Sequence, residues 1–319
     1  MIRSHNLIAI LMTLSTELPK IIIWRFIDGK VGHEKQSQAF IDGLEKYYSI
    51  ESTDIHVKHT SIYYFFAWLL NIKLALYPKK SSPQLVIGAG HKTHLPLLAA
   101  KRYHRCKSLV IMSPSLPSSL FDAILAPWHD YIDQSQPNNV VITPTALAPP
   151  IDSKPIKEQG LILLGGESQH YHWDSQKIAK QIKDIVDTSP EYMTWQVSTS
   201  RRTPEDSIDF IREACTHQTH VKILKHQDLP KQWLASTLET AGEIWITPDS
   251  PSMISEALMT NASINLIQLD EKDKKGKISQ ANNYLINKGF LSKNNSGTNN
   301  RKKIDLDQTI KKAIALLEL

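Results

Sequence analysis

Cysteine and long apolar runs are both scarce in this chain of 319 residues. The two cysteines, Cys106 and Cys215, lie far apart in the sequence, so we expect no disulfide framework and a reducing compartment. The apolar run at residues 7–14 follows Arg3, but it is too short to span a bilayer and no signal-peptide cleavage site follows it. We therefore expect residues 1–19 to be an N-terminal extension, and the protein to be cytoplasmic or peripheral on the inner membrane.

A strong charge of either sign is also missing. The formal net charge is +5 and the pI is near 8.9, which fits anionic ligands or a membrane surface but gives no sign of nucleic-acid binding. The chain has no P-loop, no G-x-G-x-x-G and no nucleophile elbow. His91 and His94 have a metal-ligand spacing, but their motif contains no cysteine or carboxylate, so we expect neither a metal nor a cofactor. The single Asp-x-Asp lies in the tail, where Asp307 is expected to cap a helix.

The chain does contain a regular alternation of short apolar runs and helical segments. Runs that are apolar throughout indicate parallel strands with both faces of the sheet covered. Prolines cluster at residues 144–155, and we place a domain boundary near Asp152. The predicted fold class is α/β, with two doubly wound Rossmann-like domains in series at residues 20–152 and 153–290 and a polar linker with a C-terminal helix at residues 291–319. The predicted strands are residues 21–27, 55–58, 85–87, 109–112, 123–126, 140–142, 161–164, 194–197, 221–224, 243–246 and 264–269.

An aromatic segment at residues 61–76 has two interpretations. Residues 63–70 are apolar on nearly every side of a helix, which is typical of a helix buried in a core. The same pattern fits an amphipathic patch at a membrane interface, with Lys73, Lys79 and Lys80 near anionic headgroups.

Small polar residues follow the predicted strand at residues 243–246. Ser250, Ser252 and Met253 come between this strand and the next helix, where unpaired peptide N–H groups and the positive end of the helix dipole suit a phosphate. Glu256 lies on the first turn, within reach of a ribose bound beside that phosphate. The alternative is an ordinary helix cap with a proline at the first helical position.

Other polar clusters also follow predicted strands. Gly165 and Gly166 permit a close approach of backbone to a ligand, or simply make a tight turn. Arg201 and Arg202 are expected to clamp an anion, since arginine binds phosphate in a bidentate manner, or else to be a solvated pair beside a helix. Ligands of such sheets bind at the carboxyl ends of the strands, where all of these clusters fall.

In the first half, Asp28 and His33 flank two glycines after the first strand. Histidine is the usual general base near neutral pH, and an aspartate can orient it or take the proton itself. The alternative is that Asp28 ends the strand and His33 caps the next helix.

Six motifs together resemble the family named for plant mitochondrial fission (the elongated-mitochondria, or ELM, family). The resemblance covers about residues 21–290, with the motifs in the same order. They are Asp28-Gly29-Lys30-x-Gly32-His33-Glu34-x-Gln36-Ser37, Gly88-Ala89-Gly90-His91-Lys92-Thr93-His94-Leu95-Pro96, Phe121-Asp122 with Ala126-Pro127-x-His129-Asp130, Gly165-Gly166 with His170-Tyr171-x-Trp173, Thr199-Ser200-Arg201-Arg202-Thr203-Pro204, and Asp249-Ser250-x-Ser252-Met253-x-Ser255-Glu256-Ala257.

The resemblance implies a two-domain GT-B glycosyltransferase that uses no metal, and some bacterial members are linked to the lipooligosaccharide outer core. It implies a nucleotide-sugar donor, with a UDP-sugar as first choice, and a saccharide or glycolipid acceptor. The older family label of nucleoside-diphosphate-sugar epimerase and the role of a non-catalytic membrane adaptor are the alternatives. By similarity, the nucleotide-sugar residues are Gly165, Gly166, Ser200, Arg201, Asp249, Ser250, Ser252, Met253 and Glu256. The catalytic pair is Asp28 and His33, and the acceptor-side residues are Gly90, His91, Lys92 and His94.

The chain also departs from the family pattern. Lys92 stands where an arginine is common, and residues 112–115 replace a more polar stretch. These differences concern the identity of the acceptor.

Overall fold

The computed structural model describes residues 18–78, 81–132, 135–292 and 301–319. The predicted N-terminal extension up to residue 17, Lys79, Lys80 and residues 293–300 of the predicted linker lie outside the described residues.

The first domain is a six-stranded parallel sheet in the order β2-β1-β3-β4-β5-β6. Its strands are β1 (Lys20–Ile27), β2 (Ser49–His56), β3 (Leu85–Ala89), β4 (Lys107–Ile111), β5 (Ala123–Pro127) and β6 (Val140–Thr143). Its helices are α1 (Val31–Leu44), α2 (Ser61–Leu70) and α3 (His94–His104).

The second domain is a five-stranded parallel sheet in the order β11-β10-β7-β8-β9. Its strands are β7 (Ile156–Leu163), β8 (Thr194–Ser198), β9 (Val221–Leu224), β10 (Ala241–Ile246) and β11 (Ser263–Leu266). Its helices are α4 (Ser175–Thr188), α5 (Glu205–Ala214), α6 (Trp233–Thr240), α7 (Pro251–Leu258) and α8 (Lys277–Asn287). The predicted fold class, two doubly wound α/β domains in series, is confirmed.

Each sheet has a core on both of its faces, which explains the continuous apolar runs. All five residues of β3 and all five of β5 are buried. Along β1, Ile23 packs on one face with Phe40 of α1, whereas Trp24 packs on the other face with Tyr64 of α2. Alternate side chains of a strand point to opposite faces of the sheet. A strand that is covered on both faces therefore buries all of its side chains and shows no alternation of polar and apolar residues.

The predicted ends of one strand and one helix are wrong. The second strand was expected at residues 55–58 but is Ser49–His56, an edge strand whose side chains are mostly exposed and which therefore has no apolar run. The aromatic helix was expected to reach residue 76 but ends at Leu70, because Asn71 adopts a left-handed conformation with φ of 54° and terminates it.

The last helix, α9 (Leu306–Leu317), packs on the first domain although it follows the second in sequence. Its Ile310, Ala313 and Leu317 are fully buried in the same core as Phe40. A Cβ at Gly43 of α1 would lie 2.7 Å from the Ile310 side chain, so this glycine allows the two helices to approach closely. The cap of α9 is Asp305, which accepts a hydrogen bond from the Gln308 N–H at 2.8 Å, and the expectation of a cap at Asp307 is wrong.

Candidate functional site

A cavity of about 750 Å³ opens at the carboxyl ends of the strands in the second domain. It lies where β7, β8 and β10 end and where α7 begins, the position at which parallel α/β sheets bind ligands. Six predicted nucleotide-sugar residues line it: Ser200, Arg201, Ser250, Ser252, Met253 and Glu256.

The amino end of α7 forms one wall of this cavity. Ser250 is the N-cap residue and Pro251 is the first helical residue, but the Ser250 side chain makes no hydrogen bond to the helix amides. The alternative of an ordinary side-chain cap is therefore not realised. The N–H groups of the first turn lack intrahelical partners and carry the positive end of the helix dipole, which is an arrangement that binds anions.

The two adjacent arginines have different environments. Arg202 forms an ion pair with Asp249, with 2.8 Å between Nη2 and Oδ2, and its Nη1 donates to the carbonyl of Glu167 at 3.0 Å. Arg201 is exposed on the cavity wall and has no hydrogen-bond or ion-pair partner among the described residues. The predicted clamp is thus divided between one arginine that faces the cavity and one that holds the loop.

Gly165, Gly166 and Asp249 do not line the cavity but lie behind its wall. All three are buried. The Gly166 N–H donates to Asp249 Oδ2 at 3.0 Å, a Cβ at Gly165 would overlap the Asp249 carboxylate, and a Cβ at Gly166 would overlap the backbone of Arg202. The expectation that these glycines allow close approach to a ligand is corrected: they allow the close approach of Asp249 and Arg202, and Asp249 positions the loop.

Glu256 is held from the opposite domain. Its carboxylate accepts a hydrogen bond from Lys35 Nζ of α1 at 2.7 Å. Beside this pair, the Thr145 and Ser255 hydroxyls are 2.7 Å apart in a buried contact between the domains. A small cavity of about 40 Å³ here is lined by residues of both domains, including Ser252 and Glu256. The predicted ribose-binding carboxylate therefore lies at the domain interface.

Asp28 and His33 form a hydrogen-bonded dyad at the end of β1. The His33 Nδ1 lies 3.0 Å and 3.2 Å from the two oxygens of Asp28, whose side chain is fully buried. The Asp28 carboxylate also accepts from the Lys30 N–H at 3.2 Å. A carboxylate on Nδ1 selects the tautomer with a free Nε2 lone pair, and His33 Nε2 has no hydrogen-bond partner in the described part of the chain. The arrangement suits a general base.

The predicted acceptor-side loop contacts the same dyad. Gly90 has φ of +83°, and a Cβ there would overlap the His33 ring at 2.3 Å, so the glycine lets the imidazole lie over the loop. His91 and Lys92 are exposed.

His94 points away from the loop surface and is buried, with its Nδ1 3.2 Å from Ser115 Oγ and its ring packed against Phe121. Burial and the nearby His91 lower the pKa of His94 to about 4. The expectation that His94 faces an acceptor is wrong. His94 is the first residue of α3, and its side chain points into the interior of the domain.

Among the described residues, no group of three or more His, Cys, Asp or Glu side chains has an arrangement that could hold a metal ion. None of the helices within the described ranges has the length and apolar character needed to cross a bilayer.

The sequence model of the family described as Mitochondrial fission ELM1 matches residues 31–319. The chain belongs to this family. Uncharacterized protein RP120 of Rickettsia prowazekii (strain Madrid E) is 32% identical to this ELM1-family chain over 124 residues, and the match covers 35% of this chain and 33% of that protein. The match thus spans about a third of the relative's length.

Two solved structures share the fold of the ELM1-family chain at low sequence identity. The UDP-GlcNAc 2-epimerase from Neisseria meningitidis bound to UDP-GlcNAc has a TM-score of 0.53 at 13% identity, covering 93% of this chain and 91% of that one. The glycosyltransferase from Rickettsia africae ESF-5 has a TM-score of 0.51 at 9% identity, covering 94% and 98%. The ELM1-family chain has the GT-B fold that was expected from its motifs.

Aromatic residues in the remaining family motifs make contacts outside the cavity. Trp173 donates its indole N–H to Ser207 Oγ of α5 at 3.0 Å, and the Tyr171 hydroxyl accepts from Asn282 of α8 at 3.0 Å. Between the domains, Trp128 stacks on Tyr284 of α8, with 4.2 Å between ring centroids and 9° between ring planes. These contacts tie the segment after β7 to α5 and α8, and the first domain to α8.

An additional part of the ELM1-family cavity was missed at the level of sequence. The segment after β9 lines it with apolar and basic side chains, namely His226, Leu229, Pro230, Lys231, Trp233 and Leu234. This segment begins at the carboxyl end of a parallel strand, and that position was the available signal. The segment contains no cluster of hydroxyl or glycine residues, so its sequence did not mark it as part of a ligand site.

Proposed function

We propose that this protein is a glycosyltransferase that moves a sugar from a nucleotide donor, with a UDP-sugar as first choice, to a saccharide or lipid-linked acceptor. The observation that carries the proposal is the cavity in which Arg201, without a protein partner among the described residues, faces the uncapped amino end of α7. A diphosphate matches both features, because it would accept hydrogen bonds from the guanidinium and from the first-turn amides.

In the proposed reaction, the bond between the anomeric carbon and the diphosphate oxygen breaks, and the acceptor oxygen forms the new bond to that carbon. His33 takes the proton of the acceptor hydroxyl at Nε2, while Asp28 holds the opposite ring nitrogen. Arg201 and the amides at the start of α7 would stabilise the negative charge that grows on the leaving diphosphate. The proton passes from His33 to solvent after the product leaves.

Two features support the assignment of the nucleoside and the acceptor to opposite sides. Glu256 lines the same cavity as Ser252 and would contact the ribose hydroxyls once its pair with Lys35 opens. His91 and Lys92 are exposed beside the dyad in the first domain and would contact the acceptor. By the family resemblance, the acceptor that we propose to test first is a lipooligosaccharide core.

Binding of the donor tests the proposal directly. Titration of the purified chain with UDP-, GDP-, CMP- and ADP-sugars should give a preference for one nucleotide. Arg201→Ala should weaken that affinity by roughly ten- to a hundredfold, which corresponds to one or two charge-assisted hydrogen bonds.

The matched control is Arg212→Ala, which removes an exposed arginine of α5 whose ion-pair partner is Asp209 at 3.4 Å. It should leave the affinity unchanged. Equal affinity of the wild type and Arg201→Ala for the preferred UDP-sugar would contradict the proposed site. Absence of any nucleotide binding would favour the alternative of a non-catalytic adaptor.

The second candidate function is that of an epimerase, and the shared fold with the Neisseria meningitidis enzyme is the observation that favours it. An epimerase would convert a UDP-sugar without any acceptor, whereas a transferase would leave the sugar intact until an acceptor is added. Proton NMR of the protein incubated with UDP-GlcNAc alone distinguishes the two reactions.

A further inference from the structure

Helix α2 exposes a continuous apolar face. Only Tyr64 and Ala67 of its ten residues are buried. Seven of the twelve exposed large apolar side chains among the described residues lie in this one segment, so they form a patch rather than scattered positions. We call them the α2 face: Ile62, Tyr63, Phe65, Phe66, Leu69, Leu70 and Ile72, which are 40–64% exposed.

The segment that carries the α2 face contains no acidic residue. Between Asp54 and Asp122 the sequence has nine Lys or Arg residues and no Asp or Glu. The chain as a whole has almost balanced charge, with 37 basic and 32 acidic residues, so the segment that carries the apolar patch is unusually positive for this chain. A neutral partner would not require such an arrangement, whereas an anionic surface would.

A cleft with basic side chains lies next to the α2 face. It has a volume of about 490 Å³ and lies between Trp68 of α2 and the end of α3. Lys101 and Lys107 on its wall are paired with Asp122 at 2.9 Å and Glu318 at 2.6 Å. The remaining cations, which we call the cleft arginines, are Arg102 and Arg105.

The cleft arginines have no carboxylate partner within the described residues. The Arg102 guanidinium lies 5.9 Å from the centroid of the Trp68 ring, and Arg105 ends α3 in a left-handed conformation with φ of 53°. Two unpaired guanidiniums beside an indole ring offer hydrogen bonds to a phosphate and an amphipathic ring for the depth of the headgroups.

We propose that the α2 face and the cleft arginines dock the first domain onto an anionic lipid bilayer. The helix lies in the plane of the interface with its aromatic and aliphatic side chains among the acyl chains, because ten residues are too few to span the membrane. The cleft arginines bind lipid phosphates at the headgroup level, and the acid-free segment adds long-range attraction to the charged surface.

This orientation has a consequence that rests on the proposed function. Helix α2 begins after the carboxyl end of β2 and packs on α3, whose first residues carry the loop beside the Asp28–His33 dyad. A docked first domain would therefore present the dyad close to the bilayer, where a lipid-linked acceptor would be held.

Cosedimentation of the full chain with lipid vesicles tests the docking without donor or acceptor, so its result is independent of transfer activity. The chain should bind vesicles that contain phosphatidylglycerol, bind phosphatidylcholine vesicles far less, and lose affinity as salt is added. Two double variants test the two parts of this surface. The partition coefficient should fall by roughly tenfold or more in Phe66→Ser/Leu70→Ser and also in Arg102→Glu/Arg105→Glu.

Matched controls lie in the second domain. Tyr192→Ser removes a side chain that is 64% exposed, and Lys180→Glu with Lys222→Glu reverses two exposed charges. Both controls should bind as the wild type does. If a variant of α2 fails to fold, vesicles with brominated acyl chains give a second measurement, because they should quench tryptophan fluorescence of the wild type more than that of Trp68→Phe.

Three results would overturn the proposal. The first is the absence of wild-type binding to phosphatidylglycerol vesicles, and the second is equal binding of the α2 variants and the controls. The third is a concentration-dependent dimer, seen in sedimentation equilibrium, that the Phe66→Ser variant does not form, together with no vesicle binding by either protein. That result would assign the α2 face to contact with a second copy of the chain.

Discussion

Arg201 and Arg202 are neighbours in sequence, but their guanidinium groups have different surroundings. Arg202 is tied to the buried carboxylate of Asp249, whereas Arg201 faces the cavity. The motif around them predicted an anion site but could not assign the two roles, because the assignment depends on a residue nearly fifty positions later. The same contact explains Gly165 and Gly166, which the sequence presents as an ordinary glycine turn.

Replacement of Asp249 by alanine tests its positioning role. The Gly166 N–H would lose its acceptor and Arg202 its counter-ion, so we expect the free energy of unfolding to fall by about 2 kcal/mol. Urea denaturation followed by tryptophan fluorescence measures the change. Asp209→Ala, which removes an exposed partner of Arg212, should change stability by less than about 0.5 kcal/mol. Similar losses in the two variants would argue against the positioning role.

His94 should make the stability of the first domain depend on pH. Its folded-state pKa of about 4 is below the ordinary value of 6.5, so the unfolded chain binds the proton more readily. The resulting stability is present above pH 6.5 and is lost as the pH falls toward 4, with a loss of about 2 kcal/mol between pH 7 and pH 5.

The measurement is the difference in free energy of unfolding between pH 7 and pH 5. His94→Gln should reduce that difference by about the same 2 kcal/mol, whereas the exposed His217→Gln should leave it as in the wild type. An unchanged pH dependence in His94→Gln would show that the buried imidazole is not its source.

At the scale of elements, the sequence predicted most strands and helices because buried parallel strands are apolar throughout. It failed where an element has one solvated side, as in β2, and where a single backbone conformation ends a helix, as at Asn71. The position of α9 was also beyond the sequence, since the apolar stripe of an amphipathic helix does not identify its partner. That partner is the face of α1 left open by Gly43.

The packing of α9 on the first domain predicts a large effect of Ile310→Ala. Ile310 is fully buried against the first core, and the substitution should lower the free energy of unfolding by about 3 kcal/mol through lost burial and a cavity. Lys312→Ala, on the exposed side of the same helix, should have little effect. Equal unfolding midpoints for the two variants in urea would contradict the observed packing.

At the scale of the whole molecule, three side-chain contacts described above join the two domains. They are the ion pair of Lys35 with Glu256, the hydroxyl contact of Thr145 with Ser255, and the stack of Trp128 on Tyr284. The motifs predicted that residues on both domains would face one cleft. They did not predict that Glu256, the residue proposed to bind the ribose, would be paired with a residue of the opposite domain. Sequence patterns do not determine how two domains pack against each other.

The ion pair predicts the behaviour of Lys35→Ala. The Lys35 side chain is 48% exposed, so its removal should cost less than about 1 kcal/mol of stability. It should release Glu256 and strengthen binding of the preferred nucleotide by roughly two- to fivefold, as expected when a competing contact of this strength is removed. Isothermal titration calorimetry measures the affinity, and Lys46→Ala, which removes an ion pair within the first domain, is the control. Weaker binding by Lys35→Ala would mean that the lysine itself contacts the ligand.

The return of α9 to the first domain also has a consequence for biosynthesis. Translation delivers the first sheet early, but α9, which completes its core, is made only after the second domain. A nascent chain would therefore carry an uncovered apolar surface on its leading half until α9 has been made, and a truncation that removes α9 would damage the half that was made first.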